Sequence, residues 1–376
     1  MNFRISFPNS SLGNVSIANI DSFTFAVDIY KMYAGAKIIF KNLKDPAFND
    51  IKIGQEVDIT LSTTTIDDEA NSFTNHMRIL TFDKDTSSPS VTFIKVTLLS
   101  SWYFVSTVQT QALFGSVGEI VKTVFDKNFS KEDILTDFIS TSDPSRIRYQ
   151  ISENPHDFLK RILKYGVSQN TPLYLYTDAQ NTVNLKSLND FVNSRVTRVL
   201  IPDEAATLEI GSAETDEDLK TSRRLRILNY KLAYDNERSS SSQTIIFTTD
   251  SFVSSSDIKK SITMHNAENN NSSLSSTTTP PRIDYLDWSY TPQDAIAIST
   301  KAYQEENFGN FSLMFTANGF LLDSLPLGSL NKLILPRVAG EKEAQGEGGY
   351  IVNRLEYTYK DNTPTTKAFL FLARYN

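Results

Sequence analysis

The chain of 376 residues contains no cysteine, only three histidines and two tryptophans, and no apolar run near the roughly 20 residues that a membrane-spanning helix needs. The missing cysteine excludes disulfides, thiolate metal sites and cysteine nucleophiles together. His76, His156 and His265 lie far apart, and none has a second histidine at ligand spacing. They read as surface or turn residues, and no metal is expected. No phosphate-loop, zinc-protease or nucleophile-elbow string occurs, so neither a cofactor nor the commonest hydrolytic chemistry has an anchor. Positive charge is also in deficit, with 37 Lys plus Arg against 44 Asp plus Glu and a net charge of −7. That balance argues against a protein built to grip nucleic acid, which needs cations to displace counterions from phosphates. Residues 1–7 lack the apolar run of a signal peptide, so synthesis in a cytoplasm is expected.

What is present is β-forming. The 24 Phe and 16 Tyr, with abundant Ser, Thr and Asn, suit strands that have one wet face. The length allows two to four domains, each with its own core. Period-two alternation predicts strands over 22–28, 36–41, 56–62, 73–82 and 91–99, with turns at 45–46, 53–56 and 83–89. Five or more such strands suggest a small antiparallel barrel or sandwich. At 109 the texture changes. Gly115-Ser116-Val117-Gly118 leads into a helix with Ile120, Val121, Val124 and Phe125 on one stripe, and 131–139 offers a second short helix. Without a lysine at the required spacing, the glycine pair reads as a helix N-terminus and not as a phosphate loop.

Residues 151–185 carry the clearest local signals. Asn154 is a candidate cap and Pro155 suits the first helical position. Phe158, Leu159, Ile162 and Leu163 recur at helical spacing, with Asp157, Lys160, Arg161 and Lys164 opposite. Pro172 bars further helix, and 173–176 with 183–185 read as a hairpin around Asp178-Ala179-Gln180-Asn181. The unit is a helix followed by a hairpin, and 109–204 forms a compact α+β insertion. Glu153 and Asp157 could be nominated as a glycosidase pair, but at this spacing around a helix start they read better as caps.

Residues 219–234 hold five basic residues, Lys220, Arg223, Arg224, Arg226 and Lys231. Alternation over 224–234 favours a strand there over a nucleic-acid site. The acid run 215–218 lacks a glycine-bent loop and a distal glutamate, so it reads as a solvated turn and not a calcium loop. Residues 266–281 are too poor in apolar groups to order by burial and read as a long exposed loop or a disordered stretch. A helix is predicted over 295–307, stopped by Gly309, and four strands follow, over 310–317, 332–335, 349–359 and 366–375.

The segment Glu153, Asp157-Phe158-Leu159-Lys160-Arg161-Ile162 and the hairpin from Tyr174 to Leu185 resemble the central baseplate hub proteins of contractile phage tails, a T-even-type family related to the hub part of the valine-glycine-repeat spike proteins of type VI secretion. Leu327-Gly328 before 332–335 and the strand over 349–359 resemble the end of the same family. Glu153, Asp157, Phe158, Leu159, Ile162, Tyr174 and Tyr176 are the structural markers of that resemblance. It implies an α+β, mainly antiparallel β fold with two similar small tube-like β-barrel domains. The first takes 1–108 plus 205–236 and the second 237–262 plus 310–376. An α+β insertion over 109–204 and a loop-and-helix connection over 263–309 complete the chain. It further implies a non-enzymatic homotrimer whose pseudo-hexameric ring adapts a hexameric tail tube to a trimeric central spike. Other baseplate proteins would surround it in the virion tail, and DNA would pass without specific binding. Two rival readings are a carbohydrate-binding tail or adhesion protein, weakened by only two isolated tryptophans, and a tail lysozyme, which needs an acidic pair on a cleft.

Overall fold

In the computed structural model the described residues are, apart from a few isolated positions, 3–41, 48–63, 71–85, 92–129, 134–202, 223–234, 244–248, 282–286, 311–335 and 346–374. The predicted loop over 266–281, the helix over 295–307 and the acid run over 215–218 lie outside them, as do His265 and Trp288. The described part is mostly antiparallel sheet with three helices, α1 (Val117–Asn128), α2 (Pro155–Leu163) and α3 (Leu188–Val192).

The alternating pattern of the first third becomes strands Phe3–Phe7, Ile20–Asp28, Gly35–Lys41, Glu56–Ser62, Ser72–Asp85 and Phe93–Ser100. In Glu56–Ser62 the side chains of Val57, Ile59 and Leu61 are buried while the intervening residues are not, as period two demands. Phe23, Phe25 and Val27 line the same core from Ile20–Asp28, and Ala36, Ile38 and Phe40 from Gly35–Lys41. All these strands pair antiparallel with their neighbours.

The sheet does not end with the first third. Gly348–Lys360 pairs along one edge first with Leu330–Leu333, through residues 348–351, and then with Ile20–Asp28, through residues 354–360. Its other edge pairs with Thr363–Arg374 throughout. A register shift between Val352 and Arg354 marks the change of partner, the kind of local twist that a bulge introduces. One 14-stranded sheet therefore runs from the first third into the last. The basic strand predicted over 224–234 is two strands, Arg223–Ile227 and Tyr230–Tyr234. The first lies parallel to Arg198–Pro202, and the second antiparallel to Phe311–Asn318.

A second core gathers residues mostly from the 109–204 stretch, together with Met32 and Trp102 of the first third. Val117, Ile120, Val121, Val124 and Phe125 of α1 meet Phe158, Leu159 and Ile162 of α2 and Leu173, Leu175, Val183 and Leu185 of the hairpin. The second short helix expected over 131–139 is not found among its described residues. Leu135–Phe138 is instead a strand parallel to Thr182–Ser187. The open edge of the hairpin offered four residues a ladder that an isolated helical turn could not match, and Lys186 Nζ pairs with Asp137 Oδ2 across it at 2.6 Å. Helix α3 was not anticipated. Its sequence signal is the capping box of Ser187 and Asp190, each side chain bonded to the other's backbone N–H.

Phe158 and Ile162 are fully buried in the insertion core. Phe158→Ala or Ile162→Ala should each lower stability by roughly 2–5 kcal/mol, the usual cost of large-to-small core changes. Denaturant melts read this directly, and an unchanged midpoint would show that this helix face is not core.

Candidate functional site

The marker residues of the helix-hairpin segment take up two kinds of position. At the start of α2, Asn154 Oδ1 accepts from the Asp157 backbone N–H at 2.9 Å, and Asn154 Nδ2 donates to Asp157 Oδ2 at 2.7 Å. Asp157 thus sits in the first turn as expected, next to the positive end of the helix dipole. Glu153 does not cap the helix. It receives Arg161 in a forked ion pair, Nη2 to Oε2 at 2.8 Å and Nε to Oε1 at 3.3 Å, while the same guanidinium donates to the Tyr149 carbonyl and lies over the Phe158 ring. The reach of a charged fork along two helical turns outcompetes a capping role. Both carboxylates are therefore committed to structural partners.

Tyr174 and Tyr176 point the other way from Leu173 and Leu175, and every residue of Thr171–Thr177 is buried. Leu173 and Leu175 fill the insertion core, whereas Tyr174 and Tyr176 belong to the large core of the main sheet. There they pack on Phe191 of α3, with ring centroids at 5.8 and 6.1 Å, and Tyr174 meets Tyr30 edge-on at 5.7 Å. Burial pushes the Tyr176 phenol up, assisted by the nearby Asp178 carboxylate. Gly328 lies against the same rings at φ +78°, where a Cβ would stand 2.8 Å from Phe191 Cε1 and 3.0 Å from Tyr176 Oη. The two stretches that carry the family resemblance, around Tyr176 and around Gly328, are thus in contact.

The hairpin turn completes a three-way junction. Asp178 Oδ1 accepts from the Gln180 and Thr182 backbone N–H groups, and Oδ2 accepts from Asn184 Nδ2, all at 2.9 Å. Burial pushes the Asp178 carboxyl up, and these three donors oppose the rise. Ala179 O accepts from Asn75 of the first third at 2.9 Å. Asp323 of the last third receives Gln180 at 3.0 Å and Asn71 at 3.1 Å. First third, insertion and last third are therefore hydrogen-bonded to one another within a few residues of the turn.

His156 and Trp102 form a second contact between insertion and sheet. His156 is buried, which corrects its expected surface or turn position; as the second residue of α2 it sits on the face turned toward Tyr33, Trp102 and Phe129. Because Nε2 lies 2.8 Å from the Val105 carbonyl, which can only accept, Nε2 carries the proton and Nδ1 accepts from the Tyr33 hydroxyl at 2.6 Å. Trp102 Nε1 donates to Thr177 Oγ1 at 3.3 Å, and that hydroxyl donates to Met32 O at 2.7 Å. Trp102 is far from isolated, since Phe125 and Phe129 also stack around it. His76 is partly exposed and paired with Asp58 at 2.8 Å. Among the described residues no three His, Asp or Glu side chains converge as a metal would require, and no helix is long and apolar enough to cross a membrane.

Two measurements probe these contacts. Gly328→Ala introduces both a strained φ and a clash with Tyr176 and Phe191, and should cost about 1–3 kcal/mol in a denaturant melt. Burial lowers the proton affinity of folded His156 below the ordinary 6.5. The unfolded chain then binds more protons, so the contribution of this group is complete above about pH 6.5 and is lost as pH falls toward the lowered folded value. Thermal midpoints of the wild type should drop between pH 7.5 and 5 by more than those of His156→Gln, and identical slopes would rule out the buried neutral imidazole.

No protein-family model and no curated protein matches the sequence. Solved structures do match along the full length. A tail protein from Neisseria meningitidis MC58 aligns at a TM-score of 0.60 with 9% identity, covering 99% of this chain and 97% of that one. The 43 kDa tail protein of prophage MuSo2 from Shewanella oneidensis aligns at 0.56 with 13% identity, covering 98% and 97%. An E. coli component of the type VI secretion system, described as structurally similar to the T4 tail proteins gp27 and gp5, aligns at 0.50 with 12% identity, covering 100% of this chain and 77% of that one. The chain has the fold that these phage tail and type VI secretion proteins share.

Proposed function

We propose that the chain is the structural hub of a phage tail baseplate. The observation that carries this reading is end-to-end likeness to two tail proteins of nearly the same length, with 97% of each covered. In this reading residues 1–108 plus 205–236 and 237–262 plus 310–376 are two tube-like barrels. Residues 109–204 are inserted in the first, and 263–309 form the connection. Three chains then supply six tube-like units to a ring, which matches a hexameric tail tube on one side and a trimeric central spike on the other. Other baseplate proteins pack around it in the virion. The net charge of −7 suits a lumen through which DNA passes without adsorbing, since like charges prevent the contacts that release counterions.

The role is geometric, not catalytic. Glu153 and Asp157, the one acidic pair that the sequence offered to a lysozyme reading, are engaged by Arg161 and Asn154. A sugar-binding platform also loses support, because Trp102 is buried within an aromatic cluster.

Size-exclusion chromatography with light scattering should give a trimer, or a monomer that becomes a ring when a spike protein is added. Monomers that persist with both spike and tube proteins present would sink the hub reading.

A further inference from the structure

His156 ties the insertion to the first third through both of its ring nitrogens. Nε2 donates to the Val105 carbonyl and Nδ1 accepts from the Tyr33 hydroxyl, so a neutral ring has its one donor and its one acceptor in use. Tyr33 lies between the strands Ile20–Asp28 and Gly35–Lys41, and Val105 directly follows the short turn Ser101–Phe104. Four aromatic rings surround the imidazole, with centroids at 5.3 Å for Phe129, 5.5 Å for both Trp102 and Tyr33, and 5.9 Å for Tyr103. The Tyr33 ring in turn lies 4.4 Å from Trp102.

We propose that His156 is a proton-operated catch between the insertion and the main sheet: the neutral ring holds the Tyr33 side chain against Trp102, and the protonated ring releases it toward solvent. A second proton turns Nδ1 from acceptor into donor. The contact with Tyr33 then survives only with the phenol oxygen accepting, which strands the phenol proton, because Tyr33 has no other hydrogen bond among the described residues. A buried donor without a partner carries its full desolvation cost. Tyr33 is only half-buried, so water is within reach of a side-chain rotation. The imidazolium itself stays in place, since it keeps the Val105 carbonyl and the faces of rings within about 6 Å attract a cation. The titratable groups facing the ring are Tyr33 and Tyr103 from the sheet side and Asp157 and Lys160 from α2. Asp157 favours the added charge and Lys160 opposes it. Burial pushes the Tyr33 phenol up, so that group stays neutral throughout. As the second residue of α2, His156 would also place its charge at the positive end of the helix dipole. The main chain around Tyr33 remains tied, with Met32 O accepting from the Thr177 hydroxyl and the Ala34 N–H donating to Ser100 Oγ. The change is therefore confined to the Tyr33 side chain and its contact with Trp102, and it loosens one of the ties between insertion and sheet without opening the others.

Hydroxyl-radical labelling of the full chain, read by mass spectrometry, should show Tyr33 gaining label relative to the exposed Tyr30 as the pH falls from 7.5 to 5. In His156→Gln, whose neutral amide can make both bonds at any pH, the ratio should stay constant. Carbon-13 histidine NMR should place the His156 titration below 6.5 in the wild type and at a higher pH in Tyr33→Phe, where no hydroxyl stabilises the neutral ring. Equal Tyr33 labelling at both pH values, a rise that persists in His156→Gln, or coincident titrations in the wild type and Tyr33→Phe overturns the proposal. If His156→Gln loses its near-ultraviolet circular dichroism at pH 7.5, the comparison of the wild type with Tyr33→Phe decides alone.

Discussion

The architecture depends on one strand being dry on both faces. Thr171–Thr177 has Leu173 and Leu175 in the insertion core and Tyr174 and Tyr176 in the core of the main sheet. A strand in an ordinary two-layer domain keeps one face wet, and its alternation encodes which face that is. Here alternation sorts residues by size and polarity between two interiors, aliphatic toward the helices and phenolic toward α3 and the sheet. The tyrosines suit the second interior because it is not uniformly apolar: Asp178 and Asp323 lie at its margin, holding the turn to both thirds of the chain. Moving the strand by one residue would exchange the two sets, so its register is fixed by both cores at once.

A second constraint is the sharing of Gly348–Lys360. Because Leu330–Leu333 and Ile20–Asp28 occupy successive parts of one edge, the first and last thirds are joined by main-chain hydrogen bonds and not merely by packed side chains. Rotating one third against the other would break a ladder, at a cost that grows with every pair lost. The buried turn reinforces this link from the other side, through Asn75, Gln180 and Asn71. A part that must transmit load between a tube and a spike gains from such redundancy, and the hub reading draws on it in that sense.

Local order was legible in the sequence to the extent that it was locally determined. The cap at Asn154, the proline at the first helical position and the alternation of Glu56–Ser62 each follow from chemistry within a few residues, and each is found. What was misread depended on partners remote in sequence. Leu135–Phe138 took strand geometry because a hairpin edge some 45 positions later was open to it. Glu153 was claimed by Arg161 instead of by backbone amides, and His156 was drawn inward by Tyr33, 123 residues away. A lone histidine carries no pattern from which burial could be inferred, whereas Ser187-x-x-Asp190 did carry one, and it would have located α3.

The same distinction bears on where function resides. Tyr174 and Tyr176 are buried, Glu153 and Asp157 are paired, and Phe158, Leu159 and Ile162 are core, so the segment that carries the sequence resemblance offers little to a partner. Its contribution is to hold the insertion at a fixed attitude to the sheet. What it presents as a result is the reverse side of the same unit, since α2 carries Arg161, whose guanidinium grips the carbonyl of Tyr149 in the ribbon of Gln109–Gly115 and Arg146–Glu153, where Phe114, Ile147, Tyr149 and Ile151 are exposed. The markers position a surface whose own residues have no recognisable signature, because any apolar set with the right alternation would serve. A reading of motifs alone therefore finds the scaffold and passes over the surface it holds in place.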